Sequence, residues 1–277
     1  MIFDKLSGGL GNQMFQYAAG YSLSLNNRIP LNLDLSSFEH KKTGITHRYF
    51  LLNKFNIDRN ILINHMEKIS GYRKFLSKFI TKFFGENFYY NITFLSSKYL
   101  DGYFQSEKYF KNIEDILRKE FTLKNEMSVV ARQVESKISN SINSVSLHIR
   151  RGDYVLDNKT NSYHGICDLD YYKKAVEYFK NKLGELNIFV FSDDIAWVKE
   201  NLRLENLYFV SSPDIKDYEE LILMSRCKHN IIANSSFSWW GAWLNANKNK
   251  TVITPKKWFQ KYNINQKHIV PKSWIRL

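Results

Sequence analysis

The chain has 277 residues and a mass of 32.9 kDa, which corresponds to one large domain or two modest ones. With 44% hydrophobic and 24% charged residues, and with 20 Phe, 17 Tyr and 6 Trp, the composition excludes a disordered or fibrous protein. Forty Lys and Arg against 27 Asp and Glu give a net charge of +13, which predicts an anionic partner: nucleic acid, a membrane surface or a phosphate-bearing small molecule.

The first 35 residues are typical of a βαβ unit. Apolar Ile2 and Phe3 precede a glycine-rich segment at residues 7–13, and apolar residues then recur at helical spacing as far as Leu25. Between residues 29 and 35 apolar and polar residues alternate, which predicts a half-buried strand. From about residue 40 to 135 the pattern weakens into Lys-rich and aromatic helical stretches.

The second half of the chain alternates strands and helices regularly. Residues 145–149 read as a strand, a helix capped near Asp168 or Asp170 ends at Gly184, and the apolar run 188–191 predicts a strand buried on both faces. The further predicted elements are helix 195–203, strand 207–210, helix 217–227, strand 230–233, helix 236–246 and strand 251–254. This order predicts a doubly wound parallel sheet. Ser and Asn accumulate at 135–143, so we place the domains at residues 1–139 and 140–277.

Two cysteines and the N-terminal pattern predict a cytoplasmic protein. Cys167 and Cys227 form no disulfide scaffold and no Cys-x-x-Cys metal pair, which fits a reducing compartment. The N-terminus lacks the basic stretch and apolar run of a signal peptide, and no window of about 18 residues is apolar throughout.

Chemistry is expected where the strands of an open α/β sheet end. Arg150 and Arg151 leave a predicted buried strand at a glycine turn, directly after His148. Arginine is suited to bidentate phosphate contact, so the pair predicts an anion site. The alternative is that both arginines pair with Asp153 and with other acids of the sheet.

Two further strand ends carry polar residues. Asp193 and Asp194 would repel a phosphate, so we expect them either to accept hydrogen bonds from a base or ribose, or to cap the next helix. Residues 234–236 lie where a strand becomes a helix, so their hydroxyl and backbone N–H groups form a second candidate anion site. Simple helix capping is the alternative there as well.

Four segments together resemble one enzyme family. They are residues 8–18 (GGLGNQMFQYA), 148–154 (HIRRGDY), 192–194 (SDD) and 234–244 (NSSFSWWGAWL). In this order they are similar to the α-1,2-fucosyltransferases of glycosyltransferase family 11, and the His-x-Arg-Arg-x-Asp element resembles that of more distant fucosyltransferases that use GDP-fucose. The resemblance implies an α/β fold of the GT-B type, with two facing Rossmann-like domains and parallel sheets.

The resemblance also implies a reaction. L-Fucose would move with inversion from GDP-β-L-fucose, held by domain 140–277, to the 2-hydroxyl of a terminal β-galactoside of a glycan, on the side of domain 1–139. No metal ion and no cofactor is expected, because arginine can neutralise the leaving GDP where other transferases use a divalent ion. The family pattern fixes no base for the acceptor hydroxyl; Asp153, His164 and Asp4 are candidates.

Site residues follow from the resemblance position by position. Arg150 would be the principal contact of the β-phosphate, Arg151 a co-contact or support, and Asp153 would hold the arginines. The other residues expected at the donor are His148, Asp193, Asp194, Ser235, Ser236, Phe237, Gly11 and Asn12, the last near the bond being broken.

Two other function classes fit parts of the sequence. Asp168-Leu169-Asp170 spells the Asp-x-Asp of a metal-dependent GT-A transferase with another nucleotide sugar, although its place at the start of a helix favours a capping role. A nucleic-acid-binding protein would account for the charge, but the basic residues are spread along the chain and no recognition motif is present, so no nucleic-acid partner is expected.

One predicted helix offers a membrane contact. Over residues 72–84, Lys74, Lys78 and Lys82 form a row beside a row of Phe, so the helix would be cationic on one side and apolar on the other. Either the Phe row is buried in the core, or the helix docks on an anionic membrane. The second interpretation predicts peripheral association with the inner face of the cell membrane.

Overall fold

A computed structural model of the chain describes residues 1–39, 47–58, 61–64, 99–152, 155, 158–260 and 266–277. Its α-helices are α1 (Leu10–Asn27), α2 (Glu114–Glu120), α3 (Val129–Asn140), α4 (Asn158–His164), α5 (Leu169–Leu183), α6 (Ile195–Asn201), α7 (Asp217–Arg226) and α8 (Ser236–Leu244). Its strands are β1 (Ile2–Lys5), β2 (Leu31–Asp34), β3 (Leu62–Asn64), β4 (Tyr99–Leu100), β5 (Ser144–Ile149), β6 (Asn187–Ser192), β7 (Leu207–Phe209), β8 (His229–Ile231), β9 (Val252–Thr254) and β10 (Ile275–Arg276). The helix predicted over 72–84 lies outside the described residues.

The first compact unit, Met1–Lys124, contains a parallel sheet with strand order β3-β2-β1-β4. The predicted βαβ unit is confirmed: α1 connects β1 to β2 and packs on both strands. The prediction of a strand within residues 29–35 is confirmed, but the prediction that it is half-buried is wrong, because all four residues of β2 are buried. β2 lies between β1 and β3, and its Asp34 accepts hydrogen bonds from the Ser36 N–H at 2.9 Å and from the Tyr99 hydroxyl at 3.4 Å.

The second unit, Asn125–Leu277, contains a parallel sheet with strand order β10-β9-β8-β5-β6-β7. The chain starts at the centre with β5, adds β6 and β7 on one side, and then adds β8, β9 and β10 on the other. This is the predicted doubly wound sheet, and its order reverses between β5 and β8. Ligands of such sheets bind beyond the carboxyl ends of the strands at that point.

Helix α3 belongs to the second unit. Its buried Ala131 and Ile138 join a core cluster with Phe189 and Phe191 of β6, to which α7 and Cys227 also contribute. The boundary that the sequence placed between residues 139 and 140 therefore falls at the C-terminal end of α3, whereas the two units divide after Lys124. Among the helices of the described ranges, none combines the length and the apolar character needed to span a bilayer.

Candidate active site

Three strand ends of the second unit bring the predicted donor residues together. β5 is the central strand, and its neighbours β6 and β8 run parallel to it, so their carboxyl ends meet at one edge. Arg150 follows β5 and Asp193 follows β6, and the Arg150 Nη1 lies 3.0 Å from the Asp193 Oδ2. The grouping predicted for these two strand ends is therefore present.

Asp193 fixes the turn that follows β5. Its Oδ2 pairs with Arg150, and its Oδ1 accepts a hydrogen bond from the Arg151 backbone N–H at 2.8 Å. Gly152 leaves room for this carboxylate, because a Cβ at that position would lie 2.3 Å from the Asp193 Oδ2. Asp193 thus holds the arginine turn, and its predicted contact with a base or ribose stays a prediction.

Arg151 is held by two residues that follow β6, Asp194 and Trp197. Its guanidinium carbon lies 3.4 Å from the ring centroid of Trp197, and its Nε lies 3.3 Å from the Asp194 Oδ2. Asp194 also caps α6 by accepting the Trp197 backbone N–H at 3.3 Å. Both arginines therefore pair with acids of the sheet, as the alternative interpretation described, while Asp153 lies outside the described residues.

His148 is buried on β5 beside the arginines. Burial, with the nearby positive charge of Arg150, lowers the pKa of His148 to about 3, so its imidazole is neutral at neutral pH. Its ring centroid lies 5.7 Å from that of Phe237 at the start of α8. The Nδ1 atom makes no hydrogen bond within the described part of the chain, which suits a site that a ligand completes.

The segment after β8 combines capping with a polar anchor. Ser235 caps α8, since its Oγ accepts the Phe237 N–H at 3.3 Å, while Ser236 and Phe237 are partly exposed. The Asn234 side chain donates to the carbonyl of His164 at 2.9 Å and to that of Trp258 at 3.2 Å. Sequence analysis missed this anchoring role of Asn234.

An acid that the sequence analysis did not single out lies beside Asp193. Glu220 of α7 is half-buried, and burial, with smaller effects from Asp217 and Asp193, raises its pKa to about 8, although a hydrogen bond with Ser211 opposes the shift. A glutamate at the polar start of a helix carries no sequence signal of this environment.

In the first unit two buried glutamines shape the glycine loop. Gln13 donates to the carbonyls of Gly8 at 3.0 Å and Tyr49 at 2.7 Å, and Gln16 accepts the Ser7 N–H at 2.9 Å. Gly8 has φ +78°, a left-handed conformation that favours glycine. The sequence analysis did not assign a role to these glutamines, although polar residues on the core face of a predicted helix could have indicated it.

Both predicted site residues of the first unit lie in the first turn of α1. Gly11 is buried, and the Asn12 Oδ1 accepts a hydrogen bond from Gln105 at 2.8 Å. A Cβ at Gly8 would lie 2.9 Å from the Asn12 Nδ2, so the loop also packs closely on Asn12.

The remaining candidates have identifiable surroundings. Asp4 is fully buried, and burial, followed by the charges of Asp101 and Asp34, raises its pKa well above the usual range. A catalytic base must be accessible to the acceptor sugar, and Asp4 is not accessible. Asp168 caps α5 by accepting the Tyr171 N–H at 2.7 Å. Within the described ranges no group of three or more His, Cys, Asp or Glu side chains is arranged to hold a metal ion.

Comparison with known sequences decides the family. The family model described as "Glycosyl transferase family 11" matches residues 3–277. The chain belongs to glycosyltransferase family 11. Over its whole length, this family 11 chain is 37% identical to an "Alpha-1,2-colitosyltransferase" of Escherichia coli, 99% of which is covered. It is 36% identical to the Escherichia coli "O-antigen biosynthesis glycosyltransferase WbnK", with full coverage of both chains.

More distant similarities cover part of the chain or its fold. A "Galactoside 2-alpha-L-fucosyltransferase SEC1" of Bos taurus is 26% identical over 52% of this chain and 41% of its own length. The crystal structure of the fucosyltransferase NodZ from Bradyrhizobium matches with a TM-score of 0.56 at 10% identity, covering 87% of this chain and 91% of NodZ. The predicted GT-B type of fold is therefore confirmed, and the protein is a glycosyltransferase of family 11.

Proposed function

We propose that this glycosyltransferase moves L-fucose from GDP-β-L-fucose to the 2-hydroxyl of a terminal β-galactoside, with inversion at the sugar carbon. The observation that carries the proposal is the pair of guanidinium groups at the end of β5, each anchored by an acid of the next strand end. A pair of fixed, partly buried cations at a strand end of a doubly wound sheet suits the pyrophosphate of a nucleotide sugar.

The chemistry places the arginines at the leaving group. The acceptor oxygen forms a bond to C1 of the sugar while the bond from C1 to the β-phosphate oxygen breaks, and the electron pair leaves with GDP. Arg150, with Arg151 beside it, would stabilise the negative charge that develops on that phosphate. Attack opposite the β-linked phosphate gives an α-linked product. The acceptor proton would pass to a base that we leave unassigned, with Asp153 and His164 as candidates.

Other groups would complete donor binding. The buried, neutral His148 has an Nδ1 without a hydrogen-bond partner in the described chain, and we assign it to the nucleotide. Ser235, Ser236 and Phe237 would close over the pyrophosphate, and the first unit would supply Gly11, Asn12 and the acceptor side. A metal ion is not part of this proposal.

Colitose is the other sugar to test, because a relative 37% identical over the whole chain is an α-1,2-colitosyltransferase. Colitose is 3-deoxy-L-fucose, so the two GDP-sugars differ by one hydroxyl. The test incubates purified protein with GDP-fucose, GDP-colitose and UDP-galactose, each with a β-galactoside acceptor, and identifies the product linkage by NMR. We expect an α-1,2-fucoside; an α-1,2-colitoside alone would replace the donor assignment, and transfer from UDP-galactose alone would overturn the guanine assignment.

Nucleotide binding is tested separately. GDP at about 100 times its dissociation constant should stabilise the fold by about 2.7 kcal/mol, seen as an increase of several degrees in Tm, whereas UDP should have much less effect. Equal increases with both nucleotides would contradict a guanine site.

Arg150→Lys tests the leaving-group assignment. One ammonium cannot reproduce the planar guanidinium, so we expect kcat to fall by about 100-fold or more, while EDTA leaves the parent enzyme active. The matched control is Arg132→Lys, which should keep parental activity because Arg132 of α3 forms an exposed pair with Glu126. Loss of activity on chelation, restored by Mn²⁺, would favour the metal-dependent alternative.

A further inference from the structure

We propose that Trp197 is a positioning residue for catalysis, acting through Arg151: its indole holds the guanidinium so that the outer edge receives a phosphate oxygen of the donor. This inference rests on the proposed function and adds a residue to it. Trp197 lies in the first turn of α6, and none of the sequence motifs includes it.

Arg151 is restrained at three points. Its backbone N–H donates to the Asp193 Oδ1 at 2.8 Å, its Nε lies 3.3 Å from the Asp194 Oδ2, and its guanidinium carbon lies 3.4 Å from the Trp197 ring centroid. A separation this short places the guanidinium against the face of the indole. The side chain is 16% exposed, so these contacts leave it little freedom.

The restraints leave one edge of the guanidinium available. A guanidinium carries five N–H donors in its plane, and a contact with its face uses none of them. The Nε of Arg151 donates to the Asp194 Oδ2. Neither Nη atom forms a hydrogen bond with the residues that the structure describes. Two parallel Nη–H groups are the donor arrangement that binds two phosphate oxygens side by side. A second carboxylate in place of Trp197 would occupy that edge, whereas an aromatic face leaves it open.

The indole packs at the edge of the core at this helix. Val198, the next residue, is the fully buried one of α6, while Trp197 is partly exposed at the margin of the same cluster. The capping bond to Asp194 comes from the backbone N–H of Trp197, so any residue except proline at this position would keep it. A role in aiming Arg151 adds to this packing, because the ring face lies on the guanidinium.

The experiment measures GDP affinity by calorimetry and the separate KM values for donor and acceptor. Trp197→Leu should weaken GDP binding and raise the donor KM by about tenfold, with the acceptor KM unchanged, and Trp197→Phe should recover most of the loss because it restores a ring face. In an Arg151→Met background the Trp197→Leu change should have no further effect on GDP affinity. The matched control is Tyr208→Leu, which removes the partly exposed ring beneath Lys137, 4.2 Å from its ammonium, and should leave donor and acceptor KM unchanged.

The outcomes separate this inference from the proposed function. Unchanged GDP affinity in a folded Trp197→Leu protein, or equal loss in the parent and Arg151→Met backgrounds, would overturn the positioning role alone. If Trp197→Leu does not fold, Trp197→Phe and Trp197→His in the two Arg151 backgrounds give the same comparison. A parent protein that binds no GDP would overturn both proposals.

Discussion

Two side chains near the arginine pair show how burial acts on acids and bases in opposite directions. Burial removes water from the charged form, so it lowers the pKa of His148 to about 3 and raises the pKa of Glu220 to about 8. Both groups are therefore predominantly neutral near pH 7, and among the described residues Arg150 and Arg151 form ion pairs with Asp193 and Asp194 at this edge.

Glu220 makes the stability of the protein depend on pH. Its ordinary pKa is 4.5, so in the unfolded chain it ionises above that pH, while in the folded protein it stays protonated up to about pH 8. The folded state then binds the extra proton, and the free energy of unfolding falls as the pH rises from 4.5 to 8. In Glu220→Gln this contribution is absent. We therefore expect the variant to gain stability relative to the parent between pH 5 and pH 8.

Denaturant unfolding at several pH values measures this effect. Glu200→Gln, at an exposed position of α6, is the matched control and should keep the parental pH dependence. A Glu220→Gln protein whose stability follows the parent at every pH would show that this carboxyl does not resist ionisation.

Part of the site could be predicted at the residue scale, and part could not. Arg150, Arg151, Asp193 and Asp194 were identified because charged residues at the ends of apolar strands are unusual. The contact partners were not predictable, since Trp197 contacts Arg151 only because β6, which precedes α6, pairs with β5 in the folded sheet. Likewise Asn234 is a common residue whose anchoring role depends on carbonyls far along the chain, those of His164 and Trp258.

At the scale of elements, one carboxylate joins the beginnings of two helices. Glu219 accepts the Lys216 N–H of α7 at 2.8 Å through Oε2, and the Ser128 N–H of α3 at 2.6 Å through Oε1. Glu219 is buried, and its carboxylate accepts the backbone N–H of the residue that precedes each helix. The contact fixes α3 to α7 across the core cluster that they share.

Glu219→Ala should therefore destabilise the protein by about 2–4 kcal/mol, because the backbone N–H groups of Ser128 and Lys216 both lose their carboxylate acceptor. Chemical denaturation measures the change. The control is Glu205→Ala, which removes an exposed pair with Lys180 at 3.0 Å and should cost less than about 1 kcal/mol. Equal losses in both variants would mean that the double cap does not stabilise the two helices.

The strands and helices of the second unit were largely predictable, because apolar runs and helical spacing alternate there without interruption. Two differences between the sequence prediction and the structure of this unit have physical causes. Helix α3 buries only Ala131 and Ile138, so its apolar pattern is too sparse to separate it from a linker, and the domain boundary was placed at its end. Strand β10 spans only Ile275 and Arg276, which is too short for any periodicity.

At the scale of the whole molecule, the charge is distributed unevenly along the chain. Basic residues occur throughout, but from residue 221 to the C-terminus the sequence has ten Lys and Arg and no Asp or Glu. This part of the chain contributes β8, β9 and β10 to the sheet that carries the arginine pair, and it includes helix α8. This basic C-terminal segment lies in the unit that we assign to an anionic donor, where it would speed association at low ionic strength.

The two cysteines belong to different core clusters of this second unit. The rate at which each thiol is alkylated therefore reports how often its own cluster opens. Burial raises the pKa of the partly exposed Cys167 to about 11, while the fully buried Cys227, between α3 and α7, has a thiol whose pKa is also raised. An alkylating reagent should modify Cys167 slowly in the folded protein, because little of its thiol is ionised, and reach Cys227 only when that layer opens. Intact mass against time, followed by peptide mapping, gives the two rates. We expect Glu219→Ala to accelerate the labelling of Cys227 selectively; equal acceleration at both thiols would mean that the unit opens only as a whole.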